Sequence, residues 1–171
     1  MTRTIKLKTF LPYTQEKVWE ALTDPKLLGS WFMENDIEPK LGHYFTFRMK
    51  PQKGWDGITH CEIISVEPLK YIAYTYCGEA TGEKALACAG IHSDKANKLT
   101  KGIFTKLDTV LSFTLEPTCG GTILLMKHSG YKGLKLGIIS LIMKIGWKKQ
   151  LRKTLPKVLE KISTNNSLSY H

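Results

Sequence analysis

Nowhere in its 171 residues does the chain carry the uninterrupted apolar run of ~18 residues that a membrane-spanning helix requires. Its opening stretch, MTRTIKLKTFLPYTQEK, also lacks the apolar segment of ~7–15 residues that marks a secretory signal. Cysteine is sparse and scattered. Cys61, Cys77, Cys88 and Cys119 form no CxxC pair and no zinc-ligand spacing, which removes the support for a disulfide scaffold or a thiolate metal site. A reduced, cytoplasmic protein without a metal or other cofactor is the expectation. The sequence contains no GxSxG, HExxH, P-loop or dinucleotide-type glycine motif. Acidic side chains are almost missing from the last quarter: residues 127–171 hold ten basic groups and one acid, Glu160, against 15 basic and 14 acidic groups in residues 1–126.

What is present suits one folded domain. Hydrophobic residues make up 42% and charged residues 23% of the chain, which argues against disorder. A chain of this length buries roughly 70% of its unfolded surface, enough for a core or a ligand cavity. Residues 2–11 alternate as a strand does. Thr14 and Asp24 read as caps of two short helices, with Pro25 at the first helical position of the second. Glu34, Asp36 and Glu38 share one face by period two, the wet one. Residues 43–50, 56–67 and 70–77 read as strands, with a turn at 51–54 (PQKG) and a bulge near Ile63-Ile64. Residues 78–106 break the pattern and read as a long loop insertion, with a helical turn or two near 83–90. Strands resume at 107–116 and 121–128.

From 133 the period becomes helical. Ile138, Leu141, Ile142 and Ile145 form one apolar stripe, and Leu151, Leu155, Val158, Leu159 and Ile162 another. Gly146 and Pro156 argue for a break between a first helix near 133–145 and a longer one after it. Residues 163–171 read as a polar tail, leaving 1–162 as a single domain. The order of elements predicts an α+β fold: a curved antiparallel sheet of six or seven strands wrapped around a long C-terminal helix, with two short helices after the first strand.

The segments VWEALTDPKLLGSWF (18–32), LGHYFTFRM (41–49), DGITHCEIISVEPLKYIAYTY (56–76), TVLSFTLEPTCGGTILLMKHSGY (109–131) and GWKKQLRKTLPKVLE (146–160) resemble, in order and spacing, the SRPBCC superfamily of START-like, helix-grip proteins. Within it the chain is most similar to the branch named after the C-terminal domain of the activator of the ninety-kilodalton heat-shock ATPase. The resemblance implies a deep, mainly hydrophobic cavity under the C-terminal helix. It leaves function open, since members range from lipid carriers to cyclases and a chaperone co-factor.

By strand and helix parity the inward residues are Trp31, Phe45, Phe47, Met49, Tyr74, Tyr76, Leu111, Phe113, Leu124, Met126, His128, Trp147 and Leu151. These are the candidate ligand-binding residues, as apolar pockets with a few placed polar groups are lined. His128 is the foremost polar candidate, able as a neutral imidazole to orient a ligand carbonyl or to act as an acid or base. No residue is assigned a catalytic role, because no paired acid/base constellation is present. Arg48 and Glu62 are placed to pair across strands on the outer face. The leading expectation is a non-catalytic binder of a small lipophilic molecule. Two alternatives stay open, both acting through the lysine-rich C-terminal helices: a protein-interaction or chaperone-cofactor-like module docking an acidic protein, and a peripheral binder of an anionic membrane. In the second, LKLGIISLIMKIGWKKQLRK supplies an apolar face, lysines and an interfacial Trp147. Nucleic acid is disfavoured for want of an aromatic-interleaved basic platform. A monomer and a homodimer are both compatible with the sequence.

Overall fold

The computed structural model describes residues 2–51 and 56–168. Strand β1 (Thr2–Leu11) ends where Pro12 has no amide proton to offer the ladder. Thr14 caps helix α1 (Gln15–Thr23), its hydroxyl accepting from the Lys17 amide. Asp24 caps α2 (Pro25–Trp31) by accepting from the Leu27 amide at 2.9 Å, with Pro25 in the first turn. Then come β2 (Glu34–Asn35), β3 (Tyr44–Arg48), β4 (Ile58–Glu67) and β5 (Tyr71–Thr81). Helices α3 (Gly82–Ala89) and α4 (Asp94–Thr100) precede the long hairpin of β6 (Phe104–Thr118) and β7 (Gly121–Lys132). The seven strands form one antiparallel sheet in the order β1-β7-β6-β5-β4-β3-β2, so the first strand closes against the last. The register slips between Ile63 and Ser65, where the expected bulge leaves Ile64 out of the ladder. The turn expected at 51–54 falls largely outside the described residues.

The 78–106 segment, expected as a long loop, is mostly regular structure. Its first residues extend β5, with Glu79, Ala80 and Thr81 opposite Lys106, Thr105 and Phe104. The Thr81 hydroxyl then accepts from the Lys84 amide at 2.9 Å and starts α3. Gly90, at φ 64°, closes it in a Schellman arrangement: its own N–H reaches the Ala87 carbonyl and that of Ile91 reaches Leu86. Ala85, Leu86 and Ala89 are buried. That burial turns a polar, small-residue stretch into a packed helix.

The C-terminal helices also differ from expectation. Helix α5 (Gly133–Lys149) runs without a break through a π turn (Gln150–Thr154) into α6 (Leu155–Leu168). Helix α6 therefore takes in residues 163–168 of the expected polar tail; residues 169–171 lie outside the described set. Gly146 does not end a helix. A Cβ there would meet the Ala89 Cα at 2.9 Å, so the glycine is what lets α3 lie against α5. Pro156 follows the π turn, in which the Leu155 N–H reaches back to the Gln150 carbonyl. The wider turn accommodates the missing donor and the bulk of the ring. The core lies between the inner face of the sheet and the α5–α6 rod.

Candidate functional site

The inner face of the sheet is built by alternation. Across β7, β6 and β5, His128 lies opposite Leu111, which lies opposite Tyr74, and Met126 lies opposite Phe113. On β3, Phe45 and Phe47 face the same side, with both rings near Tyr74 and Phe47 also near Tyr76 at 6.0 Å. Helix α5 brings Trp147 over this surface, 6.1 Å from the ring of Phe113 and 6.2 Å from that of His128. Leu124 and Leu151 are buried in the same core. Of the thirteen expected site residues, twelve are buried here; Met49 is half-buried at the edge. Trp31 is held elsewhere in its polar part: its indole N–H donates to the Ala21 carbonyl at 2.8 Å and ties α2 to α1.

Among the described residues these side chains pack into one core where the resemblance implies a hollow. Beside Tyr76, Ala80, Ala85 and Met143 there remains a void of about 10 Å³, room for one water. Open space occurs at the mouth instead. A cleft of about 140 Å³ lies among Phe32, Met33, Met49, Cys88, Ala89 and Gln150. Phe32 forms its floor, stacked on Trp147 with centroids 4.7 Å apart and edge-on to Phe47 at 5.0 Å. The Cys88 thiol donates to the Met49 sulfur at 3.5 Å, and burial pushes that thiol up to about 11. A wider groove of about 620 Å³ beside Pro12–Lys17 and the β6–β7 turn contains none of the expected site residues.

Polar chemistry in the interior centres on His128. Its Nδ1 receives the Trp147 indole N–H at 3.2 Å and the Tyr131 hydroxyl at 2.9 Å. An indole only donates, so Nδ1 must be the acceptor and Nε2 must carry the proton. That N–H meets the Thr109 hydroxyl at 2.9 Å, which in turn donates to the Tyr76 carbonyl at 2.9 Å. Burial holds the imidazole neutral, its pKa down to about 3. Both ring nitrogens are thus engaged by the protein, and in this conformation neither is offered to a ligand. The Tyr131 hydroxyl is likewise pushed well above the usual tyrosine range by burial.

Sequence reasoning passed over several residues that matter. Phe32 sits at the irregular end of α2 (φ −123°, ψ −93°), where strand and helix parity give no direction. Lys84 is buried on α3, donating to the Thr59 hydroxyl at 3.2 Å and the Glu79 carbonyl at 2.8 Å, and desolvation lowers it to about 8. The Thr-Gly-Glu-Lys start and terminal glycine of α3 were the signals for its helix. Among the described residues two buried side-chain polar atoms have no hydrogen-bond partner: Gln150 Oε1 on the π turn and the Tyr76 hydroxyl. The Thr59 hydroxyl is near enough to bias Tyr76's ionisation but not in bonding geometry. On the outer face the expected Arg48–Glu62 pair does not form. Arg48 reaches Glu34 and Asp36, both at 3.2 Å, because β2 pairs alongside it, while the register sets Glu62 opposite Tyr44. Among the described residues no group of three or more His, Cys, Asp or Glu side chains converges to hold a metal ion. No described helix is long and apolar enough to cross a membrane.

Comparison with known proteins bears on the whole arrangement. Protein MLL2253 from Mesorhizobium loti is 31% identical, with a TM-score of 0.71 over 93% of this chain and 98% of that one. Protein BH1534 from Bacillus halodurans (24% identical, TM-score 0.66, 93% and 99% covered) shares the fold. So does SA2116 from Staphylococcus aureus (16% identical, TM-score 0.66, 96% and 97% covered). No curated protein matches the chain. The family model described as Activator of Hsp90 ATPase homolog 1-like protein matches residues 12–160, and with the seven-stranded sheet closed by the α5–α6 rod this establishes that the chain belongs to that family, within the SRPBCC superfamily.

Proposed function

We propose that the protein binds a small lipophilic molecule, without catalysis, through the cleft at the mouth of the sheet–helix interface. The observation that carries this reading is the cleft itself: about 140 Å³ of space walled by Phe, Met, Ala and Cys side chains together with Lys149, with the side-chain amide oxygen (Oε1) of Gln150 buried beside it and unpartnered. An unpaired buried acceptor costs ~1–3 kcal/mol, which a ligand N–H or O–H would recover. The volume is close to that of the ~150 Å³ apolar cavity that accommodates benzene. A larger ligand reaches the core only if the Phe32 ring swings off Trp147. Beyond it lies the second unpartnered group, the Tyr76 hydroxyl. The π turn belongs to this reading too, since such bulges recur where a helix serves a site. The reduced cysteines fit action in the cytoplasm.

Native mass spectrometry of freshly purified protein, followed by solvent extraction, tests the reading. A stoichiometric increment on the order of 100 daltons is expected for a ligand held by the cleft alone, rising to a few hundred where the Phe32 ring swings aside, or, for stripped protein, saturable binding of a naphthalene-class fluorescent probe. Phe32→Ala should strengthen probe binding, and Met49→Trp, which fills the cleft, should abolish it. A clean apo mass together with probe binding indifferent to both substitutions would overturn it.

A further inference from the structure

Helix α5 is apolar on both sides. Leu136, Ile139, Met143 and Trp147 are buried against the sheet. Leu134, Ile138, Leu141 and Ile145, spaced four, three and four residues apart, form a strip directly opposite, and they are 84%, 38%, 51% and 55% exposed. Among the described residues nothing covers that strip. Lys135, Lys144, Lys148 and Lys149 flank it on the same helix and are exposed. No acidic residue lies between Glu116 and Glu160, and none of the four lysines takes part in an ion pair among the described residues. At the N-terminal end the strip borders a groove of about 480 Å³ formed by Leu134, Gly137, Ile138 and Leu141 together with Arg3, whose guanidinium donates to the Gly137 carbonyl at 3.4 Å.

We infer that this face of α5 docks on an anionic lipid bilayer. The strip would lie at the headgroup–acyl boundary, with the lysines and Arg3 against phosphates and carboxylates of the lipid heads. A contiguous exposed apolar strip marks an interaction surface, and three features choose the occupant. An apolar centre with cations on both flanks is the layout of a surface-lying helix. The apolar side chains are aliphatic and the charged ones on the helix are lysines, whereas protein interfaces favour aromatic residues and arginine and are depleted in lysine. A second copy is disfavoured by charge, because joining two such faces brings their lysines together. Trp147, assigned to this interface by the sequence pattern, is not part of it. It faces the core, so the membrane face is wholly aliphatic.

Flotation of the full chain with phosphatidylcholine vesicles, and with the same vesicles containing phosphatidylserine, tests the assignment at low and at raised salt. Binding is expected only with phosphatidylserine and should weaken as salt screens the lysines. Lys144→Gln with Lys148→Gln should reduce the bound fraction constant by roughly 25-fold, about fivefold per charge. Ile138→Asn with Leu141→Asn should reduce it by about tenfold or more. All four positions are exposed, so an unchanged thermal transition confirms that the variants fold. Absence of binding to anionic vesicles at low salt overturns the inference, as does binding indifferent to the Ile138 and Leu141 changes. Analytical ultracentrifugation showing a dimer that those two changes dissociate would give the face to a second copy and overturn it likewise. These outcomes leave the cleft reading untouched, since none of the four substituted side chains lines the cleft.

Discussion

The two sides of helix α5 have nearly the same apolar character and opposite fates. One side lies under the sheet with Trp147 stacked on Phe32 and bonded to His128; the other presents leucine and isoleucine to solvent. A surface helix ordinarily signals its buried side by contrast with a polar back. Here that contrast is gone, so periodicity identifies the helix without saying which side faces in. The difference teaches that the fold needs only one of the two stripes. The other is surplus to folding and therefore open to a different use.

The comparison breaks most decisively if the inner side is less essential than its contacts imply. Trp147→Ala removes the Phe32 stack and a donor to His128, and should cost about 3–5 kcal/mol in urea unfolding. Next comes the charge state of the inner network. His128 is neutral in the fold, with its pKa depressed to about 3, but titrates near its ordinary value once unfolded. The unfolded chain therefore binds one more proton between pH ~6.5 and ~3. Stability should be complete above that window and fall as pH drops through it, by at most about 1.4 kcal/mol per pH unit. His128→Gln should flatten the slope, as read from urea midpoints across that range. Gly146→Val forces a side chain into the Ala89 backbone and should cost ~1–3 kcal/mol, with hydrogen-exchange protection lost first in α3. The smallest effect belongs to the outer side. Ile138→Asn with Leu141→Asn should shift the unfolding free energy by no more than about 0.5 kcal/mol per substitution. A loss near that of Trp147→Ala would mean that the strip is packed after all.

Much of the fold was legible because it rests on local signals. Thr14 and Asp24 cap as their side chains allow, the bulge at Ile63–Ser65 marks a change of parity, and strand alternation put Phe45, Phe47, Tyr74, Tyr76 and His128 inside. What escaped depends on contacts distant in sequence. Helix α3 matches the helical turn or two read near 83–90, but its place as a packed element of the core rests on burial against α5, which the sequence does not show. The direction of Phe32 is set by a non-helical residue at a helix end, and the partner of Arg48 by the short strand β2. Parity can say that His128 points inward. It cannot say that Trp147, Tyr131 and Thr109 would converge to use both of its nitrogens, and that convergence decides whether the imidazole is a ligand group or a fixed part of the frame.

The π turn has a consequence best put as phase. In a regular α-helix every fourth side chain lies roughly 40° past the last, so three such steps carry a stripe through about 120°. Trp147, Leu151, Leu155 and Leu159 take those three steps and all remain buried. The one extra residue in the turn at 150–154 absorbs most of the drift, resetting the winding so that α6 keeps the bearing of α5. Winding the same residues as an ideal helix would rotate α6 by nearly a third of a revolution and carry Leu155 and Leu159 off the sheet, whereas deleting one exposed residue of the turn, such as Arg152, would remove the bulge and leave that bearing unchanged. For this rod, regular geometry and correct aim are alternatives, and the chain has taken the aim.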